Sequence, residues 1–443
     1  MNRANLSRRG FLSRSLAVMA ATGIPLWYGR EILAADEQKK DTKVAAGDKI
    51  VLGAIGIGSP ASRGRAIAQD ALNTKRVQYV SICDVDARHR KSAVEWMKDK
   101  GQQVKEYKDY RELLDNKDIQ AVTIAVPDHW HVLVAIEALR KGKDVYCEKP
   151  LSLTIAEGQA LLKVLKGTKQ VFQVGSQQRS DGRFRMACEL VRNNRLGQIR
   201  TVETRIGDFV KDLKGQIGPF ATAPVPEGLD WNFWQGPTPA VDFVPQRCHY
   251  TFRWWYEYSG GKMTDWGAHH NDIAQWGLGM DESGPVAVEA TGFADPRSNC
   301  YNVHSGFSVH YTYAGDGPRL VCTADGENGI KFIGEDGKWI FVSRGKIDAS
   351  DKKLLQEPLG SGAARLYVSN NHMADFLDSV VSRKPTICTA EIGHRSVTVC
   401  HIGVIALRTG KKLKWDPVAE RFDDEEANKM LSRPMRAPGK LDV

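Results

Sequence analysis

The chain reads as an α/β protein in two parts, a doubly wound parallel sheet followed by an α/β domain built on a large, mostly antiparallel open sheet. Three observations predict this. Between 49 and 178 short apolar runs alternate with helical stretches, the pattern of strands buried on both faces. A Gly-x-Gly turn, Gly56-Ile57-Gly58, joins the first strand to a helix. From about Gly197 the texture changes to alternating strands joined at glycine-containing turns.

At 443 residues there is enough chain for two cores, and the composition is that of an ordinary globular protein. The formal charge is +9, of which residues 1–35 carry five arginines and one glutamate. Elsewhere basic and acidic residues interleave, so no basic stripe for a nucleic acid is formed. Eight cysteines without a Cys-x-x-Cys pair argue against a disulfide scaffold and against a structural zinc site. Ser7-Arg8-Arg9-Gly10-Phe11-Leu12, the apolar run 16–21 and the small residues Ala34 and Ala35 resemble a bacterial Tat signal. That resemblance implies export to the periplasm in the folded state, with a signal segment over 1–35 and a polar linker over 36–48. Gly23 and Pro25 break the apolar run, which is too short for a stable membrane anchor.

The first domain is placed at 49–178. Gly56 makes the tight turn, Gly58 admits a pyrophosphate to the backbone, and Ser59 and Pro60 read as cap and first helical residue. Ala61 completes Gly-x-Gly-x-x-Ala and permits close helix packing, which is the dinucleotide-binding Rossmann fingerprint. The second strand, 77–84, ends in Asp84, the expected ribose ligand, and a carboxylate there favours NAD over NADP. Arg88 keeps the NADP alternative open. A third strand over 118–126 ends in Pro127-Asp128-His129-Trp130-His131, with a helix from His131 to Lys141, and one of these rings is expected in the cofactor crevice. A strand over 143–147 runs into Glu148-Lys149-Pro150, followed by a helix over 154–165 and a strand over 171–175. Pro150 holds its predecessor extended, so Lys149 projects from a strand end at the domain junction.

The second domain is placed at 179–443. Strands are expected at 199–206, 286–292, 306–313, 319–324, 330–333 and 339–342, helices at 372–381 and 391–407, and a polar surface tail from 411. Within 260–276 Asp265 and His269 are four apart, on one face of a helix or its first turns, with His270 and Asp272 turned elsewhere.

The glycine fingerprint, Asp84, the Pro127 loop, Glu148-Lys149-Pro150 and this Asp-x-x-x-His segment together resemble the Gfo/Idh/MocA family of glucose-fructose oxidoreductase and inositol dehydrogenase. The resemblance implies a Rossmann domain and a second domain whose open sheet faces the nicotinamide and supports homo-oligomer contacts. It also transfers roles to Lys149, Asp265 and His269. His269 would act as general base, Lys149 would stabilise charge at the reacting oxygen, and Asp265 would fix a substrate hydroxyl or orient the base. His270 stands where the family often has an acid, so either histidine can face substrate. Cofactor contacts are expected from Gly56, Gly58, Ser59, Ala61, Asp84, Pro127, His131, Glu148 and Lys149, and substrate contacts from Tyr250, Arg253 and His270.

Six tryptophans, at 231, 234, 254, 255, 266 and 276, crowd this region, and one or two aromatic faces suit the C–H face of a sugar. The expected function is exported, NAD-dependent hydride transfer at a hydroxyl of a sugar, polyol or glycoside. Its rivals are NAD-dependent glycoside hydrolysis or elimination through transient oxidation, with His270, Tyr250 or His249 as second acid or base, and a non-catalytic sensor. No metal is expected, the alternative being a site from Asp265, His269, His270 and Asp272.

Overall fold

Strands without a polar face need cover on both sides, and residues 50–174 obtain it by winding. In the computed structural model, β1 Ile50–Ile55, β2 Val77–Cys83, β3 Lys105–Tyr107, β4 Ala121–Ile124, β5 Asp144–Cys147 and β6 Phe172–Val174 form one parallel sheet ordered β3-β2-β1-β4-β5-β6. Helices Arg63–Asn73, Ala87–Asp99, His131–Arg140 and Ile155–Lys166 follow strands along the chain. The strand order reverses between β1 and β4, which opens a crevice at their carboxyl ends. β3 escaped the sequence reading because its three residues, Lys-Glu-Tyr, carry no apolar alternation.

The structure describes residues 16, 17, 19–40, 49–437, 439 and 441, the side chains of 35–40 excepted. The twin arginines Arg8 and Arg9, and residues 41–48 of the expected linker, lie outside them. Residues 36–40 of the expected linker are the end of a helix, Leu26–Lys40, whose later part, from Arg30, runs through good helix formers past Gly29. Its first turns are seated on the second domain: Tyr28, 1% exposed, donates to Glu189 and accepts from Arg185 Nε at 3.0 Å.

The second sheet has nine strands, β7 Thr201–Arg205, β8 Ala287–Phe293, β9 Ser305–Thr312, β10 Arg319–Thr323, β11 Gly329–Ile333, β12 Trp339–Ser343, β13 Lys346–Ala349, β14 Leu413–Asp416 and β15 Arg421–Phe422. Their order is β13-β12-β11-β7-β10-β9-β8-β14-β15, antiparallel except for the β7/β10 pair. Alternate residues such as Val202, Leu320, Cys322, Ile330 and Phe332 are buried in one core with helices Gly182–Arg192 and Gly267–Leu278. The tail expected from 411 is instead part of the fold: Trp415, Phe422 and Ala427 are buried in that same core, their apolar side chains outvoting the polar residues around them.

The chain also returns to the first domain. Helix His372–Ser382 packs Met373, Phe376 and Leu377 against Leu52, Tyr79 and Ile82. Helix Ala390–Thr409 contributes Val397 to one core and Val399, Ile402 and Ile405 to the other. The two sheets are therefore clamped by shared helices. All eight cysteines are buried and unpaired. No described helix is long and apolar enough to cross a membrane.

Candidate active site

The site begins at the end of β1. Gly56 and Gly58 have φ of +76° and +66°, and a Cβ on Gly56 would stand 2.7 Å from the carbonyl of Ala125. The helix expected to be capped by Ser59 starts later. Ser62 is its cap, accepting from Arg65 N and donating to Ile57 O, while Ser59 and Ala61 remain in the turn on the cleft wall. The close-packing role assigned to Ala61 falls to Gly64, whose added Cβ would meet Gly56 O at 2.2 Å. Gly56→Ala is expected to cost about 1–2 kcal/mol for the left-handed backbone alone, and to weaken NAD binding at least tenfold. Titration of nicotinamide fluorescence and a melting curve check both effects.

Asp84 closes the other side of the turn. Its Oδ2 accepts from Gly58 N at 2.8 Å and its Oδ1 from Asp86 N at 3.0 Å. Oδ2 also faces His89 Nδ1 at 3.4 Å, so the lone pair left for a ribose hydroxyl is on Oδ1. Arg88, the residue that kept a 2′-phosphate in play, is bound back to Asp86 through Nε at 3.1 Å and the terminal nitrogen at 2.8 Å. The glycine cradle and a fixed acid fit NAD.

From here a cleft of about 650 Å³ runs past Pro127, Trp130 and His131 to Glu148, Lys149, Asp265 and His269. His131 is held by Nδ1 on Pro150 O at 2.6 Å, and its Nε2 is buried without a partner. His129 instead bonds Trp234 O and stays in the wall. Glu148 accepts from Arg63 Nε at 3.0 Å and Gln177 Nε2 at 2.6 Å, two partners that sequence reasoning missed.

Lys149, at a cis peptide bond to Pro150, donates to Asp265 Oδ1 at 2.6 Å and to Asp265 O at 3.0 Å. An ammonium has three donors, so one remains for a ligand. Burial would raise the Asp265 carboxyl, but the Lys149 ammonium, then Arg253, outweigh it and hold it down at about 2. Oδ1 of Asp265 is engaged by Lys149 and no hydrogen bond joins the carboxylate to His269 among the described residues, while Oδ2, 3.9 Å from Arg253 Nε, is left for a substrate hydroxyl. Its helix, Lys262–Asp265, stops there and a second, Gly267–Leu278, carries His269.

His269 lies 6% exposed on the cleft wall with Nδ1 buried and unpartnered. Burial, then the positive charges of Lys149 and Arg344, push its pKa well below the usual 6.5. The imidazole is thus neutral and ready to accept a proton. His270 does not face the cleft: it is fully buried, with its nitrogens 3.3 Å from the Gln178 amide and 3.0 Å from Asn328 Oδ1. The one-residue step along the helix turns it about 100° away, so the substrate role expected of it is withdrawn.

Tyr250, 71% exposed, stands at the cleft mouth with the Arg253 guanidinium 4.1 Å from its ring centroid. Arg253 Nε is 3.9 Å from Asp265 Oδ2. His249, a candidate second acid or base, is at the opposite end of the cleft, 3.2 Å from Asp86, its ring tilted at 50° to that of His89 with centroids 4.5 Å apart. Of the crowded tryptophans, Trp234 and Trp266 line the cleft, while Trp231, Trp254, Trp255 and Trp276 are core. Asp272 pairs with Arg179, not with the histidines, so the four residues of the metal alternative do not converge.

Two profiles of one oxidoreductase family match the chain, its NAD-binding Rossmann fold over residues 50–176 and its C-terminal alpha/beta domain over 209–441. The chain belongs to the Gfo/Idh/MocA oxidoreductase family. As a family member it binds NAD through the first domain. Inositol 2-dehydrogenase of Salmonella paratyphi B is 31% identical over 130 residues, 29% of this chain and 38% of that protein. Glycosyl hydrolase family 109 protein 2 of Shewanella sp. (strain ANA-3) is 31% identical over 165 residues, 35% of this chain and 36% of that one. The matches thus span little more than a third of these curated relatives. Aldose-aldose oxidoreductase from Caulobacter crescentus shares the fold of the Gfo/Idh/MocA chain, with a TM-score of 0.61 at 19% identity over 83% of this chain and 99% of the other.

Proposed function

We propose that this protein transfers hydride between NAD and a hydroxyl-bearing carbon of a sugar, polyol or glycoside. The observation that carries the reading is the meeting of Lys149 and neutral His269 in one cleft with the glycine turn and Asp84. When bound, NAD supplies the hydride acceptor. The chain supplies the rest. The free donor of Lys149 binds the reacting oxygen and stabilises charge as the carbon is oxidised. His269 removes the hydroxyl proton, and the Asp265 carboxylate holds the Lys149 side chain in place. Trp266 and Tyr250 offer apolar faces to a sugar ring. The similarity to an inositol 2-dehydrogenase supports the substrate class.

The depressed His269 sets the pH dependence. A base whose pKa lies well below 6.5 stays deprotonated as pH falls through 6.5, so kcat/KM is expected to hold flat from pH 8 to 6 and to fall only below that. An acid limb centred at or above 6.5 would show that a different group is the base. The function itself is tested by denaturing purified protein, identifying the released nucleotide, and screening sugars for its reduction.

A second reading, net glycoside cleavage through transient oxidation, is favoured by the similarity to a glycosyl hydrolase family 109 protein. Release of phenol from aryl glycosides without added NAD would establish it. Export rests on the twin arginines at 8 and 9, and Arg8→Lys with Arg9→Lys should hold the protein in the cytoplasm in a fractionation experiment. Self-association rests on the nine-stranded sheet, whose second face carries partly exposed residues such as Glu203, Ser308 and His310; light scattering would report its mass.

A further inference from the structure

Arg344 stands in the cleft without a carboxylate at ion-pair distance among the described residues, whereas Lys149 and Arg253 both reach Asp265. Arg344 sits on the turn between β12 and β13, at the edge of the second sheet, and reaches the cleft wall beside Trp266 and His269. Its guanidinium lies 4.7 Å from the centroid of the Trp266 ring. The acids whose field it feels are Asp265, Glu148 and Asp181, and each is taken: Asp265 by Lys149 at 2.6 Å, Glu148 by Arg63 at 3.0 Å, Asp181 by Arg183 at 2.5 Å. Among the described residues no carboxylate lies within ion-pair distance of Arg344. With the Gln178 amide turned to donate to His269 O, its oxygen accepts from Arg344 Nε at 3.3 Å. That anchors the inner nitrogen and leaves the two terminal ones as a free planar fork.

Resting on the reading of the cleft as a sugar-oxidising site, we propose that the substrate is a carboxylated sugar, a uronic or aldonic acid, and that Arg344 receives its carboxylate. A guanidinium fork matches a carboxylate in two parallel hydrogen bonds. Lys149 is paired with Asp265 and Arg63 with Glu148, while Arg253 shares Asp265 at 3.9 Å; a phosphate of charge about −1.5 to −2 would meet the Asp265 and Glu148 carboxylates with more repulsion than a carboxylate does. A carboxylate there would also relieve part of the positive field that bears on His269, so that substrate binding strengthens the base it needs.

The test uses the holoenzyme with its NAD and matched pairs: D-glucuronate with D-glucose, D-galacturonate with D-galactose, and methyl glucuronide with methyl glucoside. Nicotinamide reduction gives kcat/KM for each member. The acid should be preferred at least tenfold in one or more pairs. Arg344→Gln should reduce that acid-to-neutral ratio at least tenfold, and Arg344→Lys, which keeps the charge but not the fork, should restore only part of it. A change that merely loosened the turn would slow both members together and leave the ratio unmoved. Preference for the neutral sugars, or a ratio insensitive to Arg344→Gln, overturns the carboxylate assignment while leaving hydride transfer from sugars intact. Absence of reduction by any member, with NAD demonstrably bound, removes both.

Discussion

Replacing Lys149 by methionine should lower kcat/KM for hydride transfer about 10²–10³-fold, the usual cost of losing one preorganised donor at a developing oxyanion. Methionine keeps the apolar stem and removes the charge. The loss should appear mainly in kcat, because the donor matters most when charge develops on the reacting oxygen. A second consequence separates this role from simple packing. The Asp265 carboxyl is held at about 2 chiefly by the Lys149 ammonium, against its burial. In Lys149→Met that carboxyl rises, so an added acid limb should enter the pH profile. Steady-state rates against pH in both proteins measure the two effects together.

The largest structural effect is expected at Asp272, three residues beyond His269 on the same helix. Arg179 lies just past β6 and is 1% exposed; it grips Asp272, 0% exposed, through two bonds of 2.8 Å and Asp281 through two of 2.7 and 3.4 Å. Its guanidinium also lies 5.1 Å from the centroid of Trp276. The pair joins the turn that follows β6, Gln177–Ser180, to the helix that carries His269. Asp272→Ala would leave buried Arg179 beside a cavity with Asp281 as its remaining acid, and the loss should approach the lower end of the range, about 3–5 kcal/mol, that stripping a partner from a buried pair costs. Asp272→Asn keeps the volume and one acceptor and should cost less. Denaturant unfolding of the two variants measures the difference, and equal midpoints for wild type and Asp272→Ala would contradict it.

What was legible in the sequence was local. Gly56, Gly58, Asp84 and Glu148-Lys149-Pro150 could be read because a tight turn, a strand end and a proline each constrain the residues beside them. The spacing of Asp265 and His269 was readable too, but not what Asp265 touches, because its partner is 116 residues away. The position of the helix start was misplaced for a related reason. Ser59-Pro60 is a credible cap, yet Gly64 is the residue that can approach Gly56 O, and that contact fixes where the helix begins. Arg63, Gln177 and Arg344 carried no signal, since each reaches the cleft only through the fold. For Arg344 the one clue was a basic residue in a Ser-Arg-Gly turn between strands, a pattern that ordinarily means a solvated hairpin. The C-terminal strands were hidden by the polar residues around Trp415 and Phe422.

The central claim is that an amine and an imidazole act on one hydroxyl during one step. Single-turnover reduction of the bound nicotinamide by substrate, in wild type, Lys149→Met, His269→Gln and the double variant, addresses it directly. Each single change should slow the step about 10²–10⁴-fold, and the double variant should be little slower than the worse single one, as for groups that work as a unit. Losses that multiply in the double variant, or a His269→Gln protein as fast as wild type, would contradict the account.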